Sequence, residues 1–188
     1  MFKWRKKTPP QPSAQGAPDS SPRHSMTALL RDRSKLGEWV ETYMIRGIPW
    51  QENFRLVPND EAQRDLEITF EQKERLAKEY HVLSIAGVLI FLRQHYDDAS
   101  YEATLNDLAG RLAEALSLDR LIVGEALGQY VRYSLAGETN SLETLYLQRV
   151  YDDNPHFFRM KFAGIGSIAI DRIGLSFDVF RDAVNGEL

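Results

Sequence analysis

The sequence predicts an all-α fold, a single-domain bundle of about six helices with an apolar central helix near residues 70–96. Three observations favour this fold. The run Val82–Leu92 is apolar on every side of a helix, so other elements must cover it. It is far shorter than the roughly 20 apolar residues that span a bilayer, so the expected cover is the rest of the chain. Most segments after Asp65 carry apolar residues at helical spacing and are joined by short connections.

The composition is that of a soluble protein with one core. The chain has 188 residues, 43% of them hydrophobic and 27% charged, which favours one domain, assigned to residues 26–188. The absence of cysteine excludes disulfides, thiolate zinc sites and cysteine nucleophiles, and agrees with a cytoplasmic location. Five basic residues and one acid give residues 1–25 a net charge of +4, so the rest carries −8. An acidic body disfavours broad contact with nucleic acid.

Residues 1–25 are predicted to be a disordered basic and proline-rich tail. Five prolines stand among Ser, Gln, Ala and Gly, a composition too poor in apolar side chains to offset the entropy of ordering. No apolar stretch follows the basic start, so no signal peptide is expected. Aromatic residues among cations suit the headgroup region of an anionic membrane. The predicted membrane-contact residues are Phe2, Lys3, Trp4, Arg5, Lys6 and Lys7.

The first folded element is expected from near Thr27 to Gly47, where Gly47 and then Pro49 stop it. Residues at helical spacing give it an apolar face. That face consists of Leu29, Leu36, Val40 and Tyr43, widened by Trp39 and Met44.

Residues 48–65 lack periodicity and are predicted to form a long irregular connection. Its aromatic residues Trp50 and Phe54 are the candidates for protein contact, because Trp is enriched at binding hot spots. The alternative is that the two large side chains only pin the connection to the core. The alternation of Leu66, Ile68 and Phe70 is better explained as the approach to a helix than as a strand without a partner.

The central helix is predicted to begin at a capping box formed by Thr69 and Gln72. Two ion pairs with the acid on the N-terminal side, Glu71 with Arg75 and Glu74 with Lys78, each stabilise it by about 0.2–0.5 kcal/mol. We expect the helix to end around Tyr96.

Three further helical segments follow at short intervals. The first has Ser100 as its predicted cap and an apolar stripe at helical spacing. The second runs from about Asp119 to Leu135 and ends before Gly137, and Ser141 is the predicted cap of the third. The stripe of the first segment is Tyr101, Leu105, Leu108, Leu112 and Leu116.

The last helix is predicted to start at Asn154-Pro155, because Asn caps helices and Pro favours the first helical position. Three glycines, Gly164, Gly166 and Gly174, interrupt its apolar pattern. Two explanations stay open: close packing of this helix against residues 82–92, or a break near Gly174.

No catalytic, metal or cofactor site is predicted. His81 and His95 share a helix face but are about 21 Å apart along the axis, so they cannot bind one metal, and no Gly-x-Ser-x-Gly elbow occurs. Gly164-Ile165-Gly166-Ser167 lacks the lysine and the preceding strand of a phosphate loop. The acid pairs Asp97-Asp98 and Asp152-Asp153 fit solvated turns.

Residues 105–112, 117–119 and 123–127 together resemble the helix-turn-helix of bacterial regulators over about 25 residues. The turn is a residue or two longer than in that family. The helix that would enter the major groove offers Glu125 and Gln129, with only Arg120 and Arg132 as cations. The resemblance implies a DNA-binding regulator as an alternative function.

The function that the sequence favours is a non-enzymatic helical protein-interaction module of the adaptor, regulator or toxin-neutralising type. Its expected partners are a protein and, through the N-terminal segment, an anionic membrane surface at the inner face. Nucleic acid and cofactors are not expected as partners. Besides the DNA-binding alternative, a small all-α enzyme whose site residues are scattered in sequence stays open.

Overall fold

The structure, a computed structural model, describes residues 26–52, 69–151 and 167–185. Within those ranges the elements are helical and no strand occurs, so the all-α prediction is confirmed. A π-helical turn, Glu41–Ile45, continues the second of seven α-helices. In chain order these are α1 Met26–Arg31, α2 Arg33–Val40, α3 Phe70–Arg93, α4 Asp98–Leu116, α5 Arg120–Ala136, α6 Thr139–Tyr151 and α7 Ser167–Asn185.

Helix α3 is the central helix of the bundle, as predicted. Residues 82–89 are all buried, and α4, α5, α6 and α7 each pack against it. The predicted capping box is present: the Gln72 N–H donates to Thr69 Oγ1 over 3.1 Å, and the Thr69 N–H donates to Gln72 Oε1 over 2.9 Å. Both predicted ion pairs of its first turns form. The helix ends at Arg93, three residues before the predicted Tyr96.

Helices α7 and α3 approach each other closely at Gly87. A Cβ built on Gly87 would lie 2.5 Å from the carbonyl oxygen of Ile173 and 2.9 Å from the backbone nitrogen of Phe177. Helix α7 is continuous through Gly174, so the alternative of a break there is wrong. Nothing lies within 4 Å of a Cβ built on Gly174. Close packing of the two helices is confirmed, but the glycine that permits it is Gly87 of α3.

Asp32 divides the first predicted helix into α1 and α2. Its backbone is extended, with φ −119° and ψ 93°, and its side chain accepts a hydrogen bond of 3.3 Å from the Lys35 N–H. This is the geometry of an N-cap, which a short carboxylate side chain favours. The continuous helix predicted from Thr27 to Gly47 is therefore interrupted, and this adds one helix to the expected number.

The apolar face predicted for this element is correct for Leu29, Leu36 and Val40, which are buried. It is wrong for Tyr43, which is 61% exposed. In the π turn the Arg46 N–H donates to the carbonyl of Glu41, five residues earlier, over 2.7 Å. This wider turn rotates the following residues relative to an α-helix, and Ile45 is buried instead of Tyr43.

Two of the predicted helix boundaries are confirmed at α5, and two predicted caps are wrong. The Asp119 side chain caps the start of α5, and Gly137, with φ 70°, ends it. At α4 the cap is Asp97, whose carboxylate accepts a 2.7 Å hydrogen bond from the Ser100 N–H. Helix α6 begins at Thr139, so Ser141 lies inside it. The negative charge of Asp97 at the start of α4 also interacts favourably with the helix dipole. The uncharged hydroxyl of Ser100 would interact with the dipole more weakly.

Several predictions fall on residues outside the described ranges. These are the disordered tail of residues 1–25, the approach to α3 at Leu66 and Ile68, and the helix start at Asn154-Pro155 with Gly164 and Gly166. Among the helices that the structure does describe, none combines the length and the hydropathy that crossing a bilayer requires.

Candidate protein-contact site at Trp50

Trp50 lies five residues after the end of the π turn, and residues 50–52 are helical. Ile45 is buried at the end of the π turn, and the Glu52 N–H donates to the Pro49 carbonyl over 2.8 Å. The indole ring is partly buried against the core. The Lys78 Nζ lies 4.8 Å from the ring centroid, which is cation–π geometry. One side of Trp50 therefore pins this segment to the bundle.

An open cleft of about 300 Å³ borders Trp50. The C-terminal end of α4 forms one wall, and the segment after the π turn forms the other. Ile45 and Leu116 are buried, so the floor of the cleft is part of the core. This volume is at the lower end of the range for ligand sites and suits one bulky apolar side chain. The lining residues are Ile45, Arg46, Pro49, Trp50, Gln51, Ala115 and Leu116.

An ion-pair network connects the two walls of the cleft. The Arg46 Nε donates to Glu41 over 2.7 Å, and its guanidinium lies 3.6 Å from Glu114. The other Glu41 oxygen accepts from Arg111 over 2.5 Å, and Arg111 also donates to Asp107 over 2.9 Å. Hydrogen bonds from Arg46 and then Arg111 lower the pKa of Glu41, so Glu41 is ionised at neutral pH. The network fixes the π turn against α4.

A second group of polar residues, which the sequence did not predict, lies inside the bundle. The Glu79 carboxylate accepts hydrogen bonds of 2.6 Å from both the Tyr130 hydroxyl and the Arg149 guanidinium. Glu79 and Tyr130 are buried. Burial and then the Glu79 charge raise the pKa of Tyr130 well above its ordinary value, so Tyr130 stays protonated and donates. This cluster ties α3 to α5 and α6.

One turn further along α3, polar side chains also face α7. The Arg172 Nε donates to Ser84 Oγ over 2.8 Å, and the Ser84 hydroxyl donates to the Tyr80 carbonyl over 2.7 Å. His81 is buried beside them. Burial, assisted by the Arg172 charge and opposed by a hydrogen bond with the Met44 backbone, lowers the pKa of His81 to about 4. His81 is therefore neutral at physiological pH.

Glu79, Ser84 and Tyr130 are buried, whereas their partners Arg149 and Arg172 are partly exposed. None of Glu79, Tyr130, Arg149, Ser84 or Arg172 lines the Trp50 cleft. A hydrogen-bonded buried ion pair of this kind fixes the positions of helices, since each charge needs the other to remain buried. The Glu79 cluster therefore connects α3 with α5 and α6, and the contact of Ser84 with Arg172 connects α3 with α7.

The described ranges contain no group of three His, Asp or Glu side chains placed to hold a metal ion. His81 is buried, whereas His95 is exposed with its ring 4.4 Å from that of Phe91. His24 and His156 fall outside the described residues. That the chain needs no metal and no cofactor stays a prediction.

Among the predicted contact residues, the structure describes Trp50 alone. Phe54 and the membrane-contact residues Phe2, Lys3, Trp4, Arg5, Lys6 and Lys7 lie outside the described ranges. The only sequence signal of the buried polar cluster is that Glu79 and His81 immediately precede the apolar run. Their partners are distant in sequence, since Arg149 follows Glu79 by 70 residues.

The segment that resembles a helix-turn-helix forms α4, the turn Ser117–Asp119 and α5. The two helices lie close, with the Ala109 Cβ 3.9 Å from a Cβ built on Gly124. The Arg120 guanidinium donates to the Asn106 carbonyl over 3.0 Å, which holds it against α4. DNA binding by this segment stays a prediction.

Comparison of the chain with protein-family models, with curated proteins and with solved structures finds no match. Function is therefore inferred from the residues of this chain alone.

Proposed function

We propose that the chain is a non-enzymatic helical protein-interaction module whose contact site is the cleft at Trp50. The observation that carries the proposal is the combination of a partly exposed indole with an open cleft whose floor belongs to the core. Such a site receives a side chain without rearrangement of the bundle, because the ion pairs of Glu41 and Arg46 hold its walls. The partner that fits presents one bulky apolar side chain, with polar groups that reach Arg46 and Gln51 at the rim.

The test fills the cleft without removing Trp50, whose loss would also weaken the core. Ala115→Arg places a long side chain in the cleft. Ala103→Arg makes the same change at an exposed position on the same helix and is the matched control. We expect peptides selected from a random 12-residue library on the full chain to share a bulky apolar residue. Their affinity should fall at least tenfold for Ala115→Arg and be unchanged for Ala103→Arg. Equal binding to both variants, or no selected peptide, would refute the proposed contact site.

Attachment to the inner membrane face through the N-terminal segment is a second part of the proposal. It is supported by the separation of charge in the sequence, with +4 in residues 1–25 and −8 in the remainder. Each Lys or Arg near an anionic leaflet contributes about 1 kcal/mol, and the acidic body is repelled by the same surface. The chain would then be attached through residues 2–7, and the Trp50 cleft would be free to bind the protein partner.

Liposome co-sedimentation of the full chain tests the attachment. We expect pelleting with vesicles that contain anionic phosphatidylserine and little pelleting with neutral phosphatidylcholine. Replacing Lys3, Arg5, Lys6 and Lys7 by Ala should abolish the difference. Equal pelleting of this variant and the unchanged chain would rule out the basic segment as the anchor.

A further inference from the structure

The outer face of α5 carries large apolar side chains. Leu121 is 76% exposed, Ile122 55% and Leu135 53%. Leu121 and Ile122 lie in the first turn of α5 and Leu135 lies in its last turn, so exposed apolar side chains stand at both ends of the helix, where a second helix of similar length would cover them. None of the three lines the Trp50 cleft, so this face is separate from the proposed contact site.

Two opposite charges occupy the middle of the same face. Glu125 and Arg132 are seven residues apart, which is about two helical turns, and both are exposed. Neither forms an ion pair with any other residue that the structure describes. The Arg132 guanidinium lies 4.9 Å from the ring of its neighbour Tyr133. The face therefore presents one acid and one base that are both available to a partner.

We propose that α5 is a symmetric interface between two copies of this chain, with the two α5 helices antiparallel and crossing at Gly128. A two-fold axis near Gly128 places Glu125 of each copy opposite Arg132 of the other, so the interface contains two equivalent ion pairs. The same operation brings Leu121 of each copy against Leu135 of the other. The sequence of this face is thus complementary to itself, which favours a second copy over a different protein.

A groove of about 280 Å³ between α4 and α5 fits this arrangement. Leu105, Ala109, Leu121 and Gly124 are among the residues that line it. Leu135 follows Gly124 by eleven residues, about three turns, and so lies on the flank of α5 that borders α4. The two-fold axis of such a dimer is perpendicular to both α5 helices, so the flank of α5 that borders α4 lies on the same side of the interface in both copies. Leu135 of the second copy therefore lies over this groove.

The crossing point has room for a second helix. Nothing lies within 4 Å of a Cβ built on Gly128, and at Gly124 such a Cβ meets only the Ala109 Cβ at 3.9 Å. A contact between one helix of each copy is at the small end of specific interfaces, so the expected dissociation constant is on the order of micromolar. Dimerisation is therefore expected to depend on protein concentration.

Analytical ultracentrifugation of the full chain tests the proposal between about 1 and 200 μM. The mass should rise with concentration from that of one 21.6 kDa chain toward twice that value. Glu125→Arg and Arg132→Glu should each weaken association at least tenfold, because each places like charges opposite one another. An equimolar mixture of the two variants should associate again, since every contact is then between opposite charges. Glu102→Arg, an exposed charge reversal on α4, is the control and should associate as the unchanged chain does.

Cysteine cross-linking gives a second measurement, which is clean because the chain has no cysteine. Gly128→Cys should form a covalent dimer under mild oxidation, since the two-fold axis brings the two thiols together. Gly174→Cys, at an equally open position on α7, should stay monomeric. A chain that is monomeric at 200 μM would overturn the proposal. So would a dimer that survives both charge reversals, or one that Gly174→Cys cross-links and Gly128→Cys does not. Circular dichroism of each variant identifies any loss of fold; if a charge-reversal variant is unfolded, the Gly128→Cys cross-link decides.

Discussion

Gly87→Ala and Gly174→Ala should change stability in opposite directions, although both substitute glycine by alanine inside a helix. At Gly87 the new methyl group would lie 2.5 Å from the Ile173 carbonyl oxygen and 2.9 Å from the Phe177 nitrogen. Both atoms belong to the backbone of α7, so the whole helix must move. Overpacking of this kind costs about 1–3 kcal/mol, and the better helix propensity of alanine offsets about 1 kcal/mol. We expect a net loss of up to about 2 kcal/mol, because both contacts are with backbone atoms that cannot turn aside.

At Gly174 the methyl group meets nothing within 4 Å, so only the propensity changes, and the free energy of unfolding should rise by about 0.5–1 kcal/mol. Urea unfolding followed by circular dichroism measures both values, with a common m-value as the check that the unfolded states are comparable. A Gly87→Ala variant that is as stable as Gly174→Ala would show that α3 and α7 do not touch through their backbones at this point.

Three further predictions test other parts of the bundle. Because the pKa of His81 is about 4 in the folded chain and ordinarily 6.5, the unfolded chain binds more protons between those values. Stability should therefore fall by about 2 kcal/mol from pH 7 to pH 5, and His81→Gln should remove that part of the slope; an unchanged slope would contradict burial of His81. Glu79→Leu leaves the largely buried Arg149 without its acid and should cost about 3–5 kcal/mol. Adding Arg149→Met should recover part of this loss, since the buried Tyr130 hydroxyl still lacks its acceptor; a double-mutant cycle with no coupling would argue against the pair. Asp97→Ala should lower the free energy of unfolding through loss of a cap, and Ser100→Ala should lower it much less; the reverse order would restore Ser100 as the cap of α4.

The helices themselves could be predicted because each is specified by neighbouring residues. The capping box of Thr69 and Gln72, the apolar stripe of α4 and the stop at Gly137 all involve residues within one or a few turns. The errors at Asp32 and Tyr43 have local causes of a finer kind. A short acid interrupts an otherwise helical pattern, and a π turn changes which residue faces inward. Neither the cap at Asp32 nor the π turn changes the spacing of apolar residues enough to be predicted from a single sequence.

The close approach at Gly87 and the polar cluster could not be predicted, because their partners come from helices distant in the chain. Glu79 appears in the sequence as one more charge before an apolar run, and it is buried only because Arg149 and Tyr130 reach it from α6 and α5. The glycines of the last helix interrupt an apolar pattern and are visible in the sequence, whereas Gly87 is one small residue within the apolar run. In both cases the deciding information is which helices are neighbours, and helical spacing does not contain it.

The proposed dimer and the helix-turn-helix alternative make opposite demands on the same side of α5. DNA binding requires Arg132 to meet phosphate or base edges, while the dimer places it against Glu125 of the second copy. An exposed face of Leu121, Ile122 and Leu135 gains more from a second apolar helix than from a hydrated major groove, and Glu125 would be repelled by phosphate. Arg132→Ala distinguishes the two, in combination with Arg120→Ala. Loss of association between copies with no retention on DNA at low salt supports the dimer. Salt-sensitive retention on DNA that both substitutions weaken, from a chain that stays monomeric, would support the regulator instead.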